Sequence, residues 1–364
     1  MSSLHSGEIL LGSRWNYRVI DAVKGDSTHA STIFKAGIVP YKSHTDAPQW
    51  FATLRRSSSN SKAHLPSRAI IKAASPDDAT ATENLEREYQ TYRIPDVASA
   101  VCFREIYDAT IGDDTSTPYL ALEWRDTTLA EVKYRPDSVT YALIREVLKA
   151  TLNSCVILDG EGCVNTGMVY ELEKCWHSLI SPDFKPTNIL LSDVDTGLIT
   201  AKVGDLGLVF PAGHRINAQP YAMRAPEVFL GQACIAPSQV WAVAAMLLCW
   251  IRPGVLGEWD SPHYLINEAW CLAKIKRLFP DWNIPEPDKM NNAVLKSLVR
   301  SAGRISEEPV MQRISSLDEE TTKADVPEQL RKLLRLMLVV NPSDRPSASS
   351  ILASRESQEL DCII

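Results

Sequence analysis

Between residues 181 and 193 the chain reads SPDFKPTNILLSD, and at 203 it continues VGDLGLVF. The first segment lies between apolar runs and holds an aspartate, a lysine two residues on and an asparagine five residues on: Asp183, Lys185 and Asn188. A hairpin-like loop of this kind presents a base, a cation and a neutral metal ligand toward one point. Asp205 closes the short run Ala201-Lys202-Val203-Gly204, with Gly207 beyond it to let the chain turn, and adds a second carboxylate of the oxygen type that suits Mg2+. Any one of these residues alone is ordinary turn chemistry. The set in this order is uncommon and points to a base working beside a divalent cation.

Such groups need a scaffold, and the hydrophobic pattern supplies two kinds. Before about residue 125, short β-rich runs recur at 15–23, 32–39, 69–73, 101–107 and 119–124, interrupted by one helical stretch. From about 138 onward helical spacing dominates: 138–152 behind a Ser138 cap, 238–252, 262–279 and 328–340, the last with Leu330, Leu333, Leu334 and Met337 on one face. The pattern predicts an α+β chain, with a small antiparallel β-sheet lobe carrying one helix followed by a larger, mainly α-helical lobe. Two breaker-rich stretches, 40–67 with Arg55-Arg56-Ser57-Ser58 and 283–326 with one amphipathic piece, read as surface loops or insertions. No period of 20 to 50 residues is visible, which excludes solenoids and propellers.

Composition narrows the function classes. The 364 residues are 45% apolar and 23% charged, ordinary for a globular chain, so disorder is excluded as the whole answer. The 38 basic and 45 acidic side chains give a formal charge of −7 with no basic block, which predicts neither a nucleic-acid partner nor a polybasic membrane anchor. The first residues lack the sections of a signal peptide, and the longest apolar run, 240–251, is too short to span a bilayer. An intracellular protein, cytoplasmic or nuclear, is the expectation. Eight cysteines without a CxxC pair read as buried thiols, and Cys155, Cys163, Cys175 and His177 match no recurrent zinc spacing.

From about residue 14 to 353 the chain resembles a eukaryotic protein kinase. Asp183-Phe184-Lys185-Pro186-Thr187-Asn188 stands for the catalytic-loop motif and Asp205-Leu206-Gly207 for the Mg-binding DFG motif. Met223-Arg224-Ala225-Pro226-Glu227 matches the APE motif, and the segment 341–346 carries Arg345, which the family pairs with the APE glutamate. Ala69-Ile70-Ile71-Lys72 resembles the strand motif VAIK, placing Lys72 at the α- and β-phosphates. In the following helix Leu85, Tyr89 and Tyr92 define an apolar stripe, and Glu88, rather than Glu83 or Glu86, lies on it as the partner of Lys72. Leu122 then falls at the gatekeeper position, with Glu123, Trp124 and Arg125 as the hinge that meets adenine, and Gly25 in the phosphate loop.

The resemblance implies a bilobal protein-kinase-like fold (14–125 and 126–353, with a tail at 354–364), ATP and Mg2+ as cofactors, and ATP and a protein substrate as partners. It makes Asp183 and Lys185 catalytic, and Asn188 and Asp205 metal ligands. Lysine at 185 is the pattern of serine/threonine kinases. Nothing in 217–224 points to a particular substrate.

The chain also departs from the family. Residues 23–32 hold one glycine where the phosphate loop usually has three, and Ile70 replaces the small alanine beside adenine. Ser181-Pro182 stands before Asp183 in place of His-Arg, and Gln239 replaces the aspartate that anchors the loop from below. A pseudokinase acting as a binding or scaffold module is therefore the alternative. A small-molecule phosphotransferase is disfavoured by the Ala225-Pro226-Glu227 segment. The stretch 152–166 already reads as the helix and tight turn that lead into the catalytic aspartate, yet residues 167–182 intervene. Gly167-Met168 permits a splice donor and Pro182-Asp183 an acceptor, so 167–182 reads either as a retained intron or as a genuine insertion. With Pro182 in place of the arginine and no serine or threonine in 208–224, only Tyr221, regulation of this stretch by Ser/Thr phosphorylation is not expected.

Overall fold

A computed structural model describes residues 4–23, 31–39, 66–75, 77–111, 117–161, 163–165, 184–211 and 219–360. Gly25 and most of the phosphate loop, Asp183, nearly all of 40–67 and the whole of 167–182 lie outside the described residues. The chain divides into two compact units, Met1–Ser99 with Arg104–Trp124, and Ala100–Phe103 with Arg125–Ile364.

Among the described residues the first unit is a six-stranded antiparallel sheet with two helices. Its strands are β1 (Ile9–Leu11), β2 (Asn16–Ala22), β3 (Ser31–Val39), β4 (Arg68–Ala74), β5 (Ile106–Thr110) and β6 (Tyr119–Glu123), in the order β1-β2-β3-β4-β6-β5. Alternation sorts the strand residues by face. Tyr17, Val19, Phe34, Ala36, Ala69, Ile71, Ala73, Tyr119 and Ala121 form one buried cluster. The register sets Ile70 against Leu122 and Lys72 against Leu120, so these four share the opposite face. Helices α1 (Ala79–Tyr92) and α2 (Pro95–Ser99) complete the unit. The Asp78 side chain caps α1 by accepting from Ala81 N.

Strand β1 and its tether have no counterpart in the sequence reading. Asp108, only 5% exposed, accepts from the backbone N–H groups of Ser13, Arg14 and Trp15 and from the hydroxyls of Ser13 and Tyr17. A buried carboxylate is tolerable only with such a set of donors. Gly12 makes room for it, since a Cβ there would stand 2.7 Å from Asp108 Oδ2.

The second unit contains β7 (Thr127–Thr128), β8 (Cys163–Asn165), β9 (Ile189–Ser192), β10 (Thr200–Val203) and β11 (Val209–Pro211). Its helices are α3 (Ser138–Gly160), α4 (Pro226–Phe229), α5 (Ala236–Ile251), α6 (Asn267–Leu278), α7 (Ala293–Glu307), α8 (Leu317–Lys323), α9 (Glu328–Met337), α10 (Ala348–Leu352) and α11 (Arg355–Leu360). The long apolar run expected at 240–251 is the body of α5, where Val240 to Leu248 are all buried. Among the described residues no helix is long and apolar enough to cross a membrane.

Several expected boundaries move. The cap of α3 is Asp137, which accepts from Thr140 N at 2.8 Å, and Ser138 is the first helical residue. That helix runs on to Gly160 because buried Cys155 and Leu158 continue its apolar face. The expected strand at 101–107 is shorter: Val101 is 85% exposed, Phe103 makes an isolated bridge to Val203, and pairing starts at Ile106. The stretch 283–326 is not a loop excursion. Asn292 and Ser316 cap α7 and α8, and Leu298, Val299, Ala302 and Ile305 give α7 a buried face. The one amphipathic piece noted in this stretch is the well-formed helix α7, with proline and acidic runs in its connections.

Candidate active site

In the first unit the site residues rest on β4, α1 and β6. Lys72 Nζ meets Glu88 Oε2 at 2.6 Å, with the lysine side chain 16% exposed and the glutamate 1%. The apolar stripe of α1 buries Glu88 beside Leu85, whereas Glu83 and Glu86 are exposed. A buried ion pair of this kind is costly to break, and removing one member costs about 3–5 kcal/mol. Lys72 is thus held by its partner while its own side chain keeps an edge to solvent.

Leu122, buried at 1%, lies across from Ile70 on the same sheet face as Lys72. The backbone of Glu123 is already engaged: its N–H donates to Glu105 O at 2.8 Å, and its carbonyl accepts from Arg104 Nε at 2.7 Å. The Trp124 ring carries Lys35 Nζ at 4.9 Å and Arg68 Cζ at 5.8 Å. Arg125 is the first residue of the long second segment.

In the second unit β9 and β10 form an antiparallel hairpin in which Val203 pairs with Ile189. One residue further, Gly204 N donates to Asn188 O at 2.9 Å, so Asp205 directly follows the residue bonded to Asn188 at the end of the hairpin. A Cβ at Gly204 would stand 2.8 Å from Leu190 Cδ1, so a larger residue there would displace the end of the Leu190 side chain. Asp205 itself takes the left-handed backbone, φ 56°, a region that aspartate enters more readily than most side chains. Asn188 is buried, and its N–H closes a tight turn on Lys185 O at 2.9 Å; Lys185 is half-buried. An amide oxygen and a carboxylate are both ligand types that suit Mg2+, which takes one or two protein ligands and fills its remaining positions with water and phosphate oxygens. Among the described residues no cluster of three or more His, Cys, Asp or Glu side chains is placed to hold a metal.

Below these residues the expected pair of Glu227 and Arg345 is present, with Arg345 Nη1 on Glu227 Oε1 at 2.8 Å and Nη2 on Oε2 at 3.1 Å. Arg345 also donates to the carbonyls of Val339, Val340 and Pro237, so the buried guanidinium is fully used. Gln239 is 3% exposed; its Nε2 approaches Cys234 Sγ at 3.3 Å, while its Oε1 has no hydrogen-bond partner among the described residues. Tyr221 is a packing residue, stacked on Phe229 with ring centroids 6.3 Å apart, and its hydroxyl is pushed up to about 12 by burial and then by the Glu268 carboxylate. The sequence reading passed over Gln219, whose side-chain bonds span the segment 219–238, because an isolated glutamine carries no pattern. No protein-family model matches the chain.

Proposed function

We propose that the chain is a protein kinase that transfers the γ-phosphate of ATP, held with Mg2+, to serine and threonine hydroxyls of a protein acceptor. The observation that supports this reading most is the Lys72–Glu88 pair: a strand lysine fixed by a buried helix carboxylate and still edged by solvent. Such a cation is positioned for phosphate oxygens and loses little freedom on meeting them. On this reading Lys72 orients the α- and β-phosphates, and Leu122 and Ile70 line the adenine side. Asn188 and Asp205 hold Mg2+, which neutralises phosphate charge. Asp183 receives the hydroxyl proton as the acceptor oxygen bonds to the γ-phosphorus. The bond from that phosphorus to the β,γ-bridging oxygen breaks, and ADP leaves with its electron pair. Lys185 offsets the charge on the moving phosphoryl group. The segment Met223 to Glu227 lies along the acceptor protein.

A second reading, a pseudokinase that keeps the fold as a binding module, is favoured by the unsatisfied Gln239 Oε1 where a loop anchor is needed. The two readings part in one assay, with γ-labelled ATP, Mg2+ and dephosphorylated casein. The kinase reading expects label on serine and threonine that depends on Mg2+. Nucleotide binding without label would select the pseudokinase, and label confined to tyrosine would overturn the acceptor class.

A further inference from the structure

The segment that precedes α4 is fastened by contacts that involve no phosphate. Gln219 is 2% exposed and has φ 70°, a left-handed backbone that a glutamine adopts only when its surroundings impose it. Its Nε2 donates to Ser238 O at 2.8 Å in the first turn of α5, and its Oε1 accepts from Ala225 N at 3.0 Å. Its own carbonyl accepts from Arg224 Nε at 3.0 Å. Ala225 is the residue before α4, so one side chain satisfies the N–H at that helix entry and ties it to α5. Ser238 Oγ in turn donates to Glu227 Oε1 at 2.8 Å, joining this bridge to the Glu227–Arg345 pair. A second fastening comes from α6. Arg224 Nη1 meets Glu268 Oε1 at 2.9 Å, and its Cζ lies 4.6 Å from the Tyr221 ring and 5.1 Å from the Phe229 ring.

We infer that Gln219 is a positioning residue for the acceptor protein: by bridging Ala225 and Ser238 it holds 219–225 as a permanently formed platform, with no need of phosphorylation. The inference rests on the kinase reading for the identity of the ligand; the bridge rests on the hydrogen bonds alone. A glutamine has the reach for both bonds. Alanine removes both, and asparagine tolerates the left-handed backbone but is one methylene too short to span them.

The test compares the full chain with Gln219→Ala and Gln219→Asn. In both variants the KM for dephosphorylated casein is expected to rise about tenfold, as for a small misplacement of a binding segment, while the KM for ATP stays within about twofold. Hydrogen exchange at the Ala225 amide is expected to speed up in both, with exchange in the body of α5 unchanged. Phosphatase treatment of the wild-type chain is expected to leave the casein KM unchanged. An unchanged casein KM in an active variant, or unchanged exchange at Ala225, overturns the inference while the kinase reading stands. A phosphatase-induced rise in KM with the lost phosphate mapped to 208–224 also overturns it. Absence of transfer and of ATP binding in the wild-type chain overturns the kinase reading and the acceptor role together, whatever the exchange result.

Discussion

Removing residues 167–182, so that Thr166 joins Asp183, is expected to raise phosphotransfer by about 100-fold, the scale on which an error near 1 Å in a catalytic group acts. The reasoning starts from the two flanks. Strand β8 pairs with β11, Asn165 opposite Val209, so the chain before the segment is registered on the strand that follows Asp205. On the other side Phe184 is 2% exposed, and the tight turn from Lys185 to Asn188 leads straight into β9. Both flanks are anchored in the second unit, and a direct connection would bind Asp183 to each of them. The sixteen residues 167–182 add a loop-closure cost that a direct connection does not carry. ATP affinity should change far less, since Lys72, Glu88 and Leu122 belong to the other unit. One phosphotransfer assay and one ATP titration on the two purified forms make the comparison. A shortened form that is unstable or no more active would identify 167–182 as a native element and favour the pseudokinase.

Lys72→Met is expected to lower phosphotransfer by about 10^2–10^3-fold, the usual loss when one preorganised charge partner of the transition state is removed. The same change takes the cation away from Glu88, which is fully buried, so it is also expected to cost about 3 kcal/mol of stability. The two effects separate in the double variant Lys72→Met, Glu88→Gln. There a neutral pair replaces an ionic one, and stability returns toward wild type while transfer stays lost. Glu88→Gln alone should act in the same direction more weakly, because Lys72 keeps its charge and a hydrogen-bond acceptor. Denaturant unfolding and initial transfer rates on the four proteins read this out. Wild-type rates in the stable double variant would place the nucleotide elsewhere.

The legible parts of this chain were those where a local pattern coincides with a structural requirement. Alternation marked β2, β3, β4 and β6 to within two residues, and the apolar stripe on α1 singled out Glu88 because a buried carboxylate must sit on the buried face. Asn188 and Asp205 were singled out by residue type and order, whereas the β9–β10 hairpin that bears them, with Asp193 and Gly197 in left-handed backbone between its strands, was not read from the sequence. What escaped depends on long-range closure. Asp108 collects donors from residues more than 90 positions away, so strand β1 and its tether leave no local trace. Gln219 reaches Ala225 and Ser238 through side-chain length and an unusual φ, neither of which spacing reveals. The amphipathic piece noted in 283–326 is α7, with Leu298, Val299, Ala302 and Ile305 buried, but the prolines and acidic runs around it led the stretch as a whole to be read as a loop or insertion.

The central claim is that Lys72, Glu88 and their sheet face bind ATP with Mg2+, and thermal unfolding of the full chain during an ATP·Mg2+ titration tests it most directly. A ligand that binds only the native state adds about 2.7 kcal/mol at a hundredfold excess over Kd. The account predicts a saturable rise of several degrees in Tm that requires Mg2+ and is absent from the Lys72→Met, Glu88→Gln double variant. An unchanged Tm of the wild-type chain at saturating ATP·Mg2+, or an equal rise in the double variant, would contradict it.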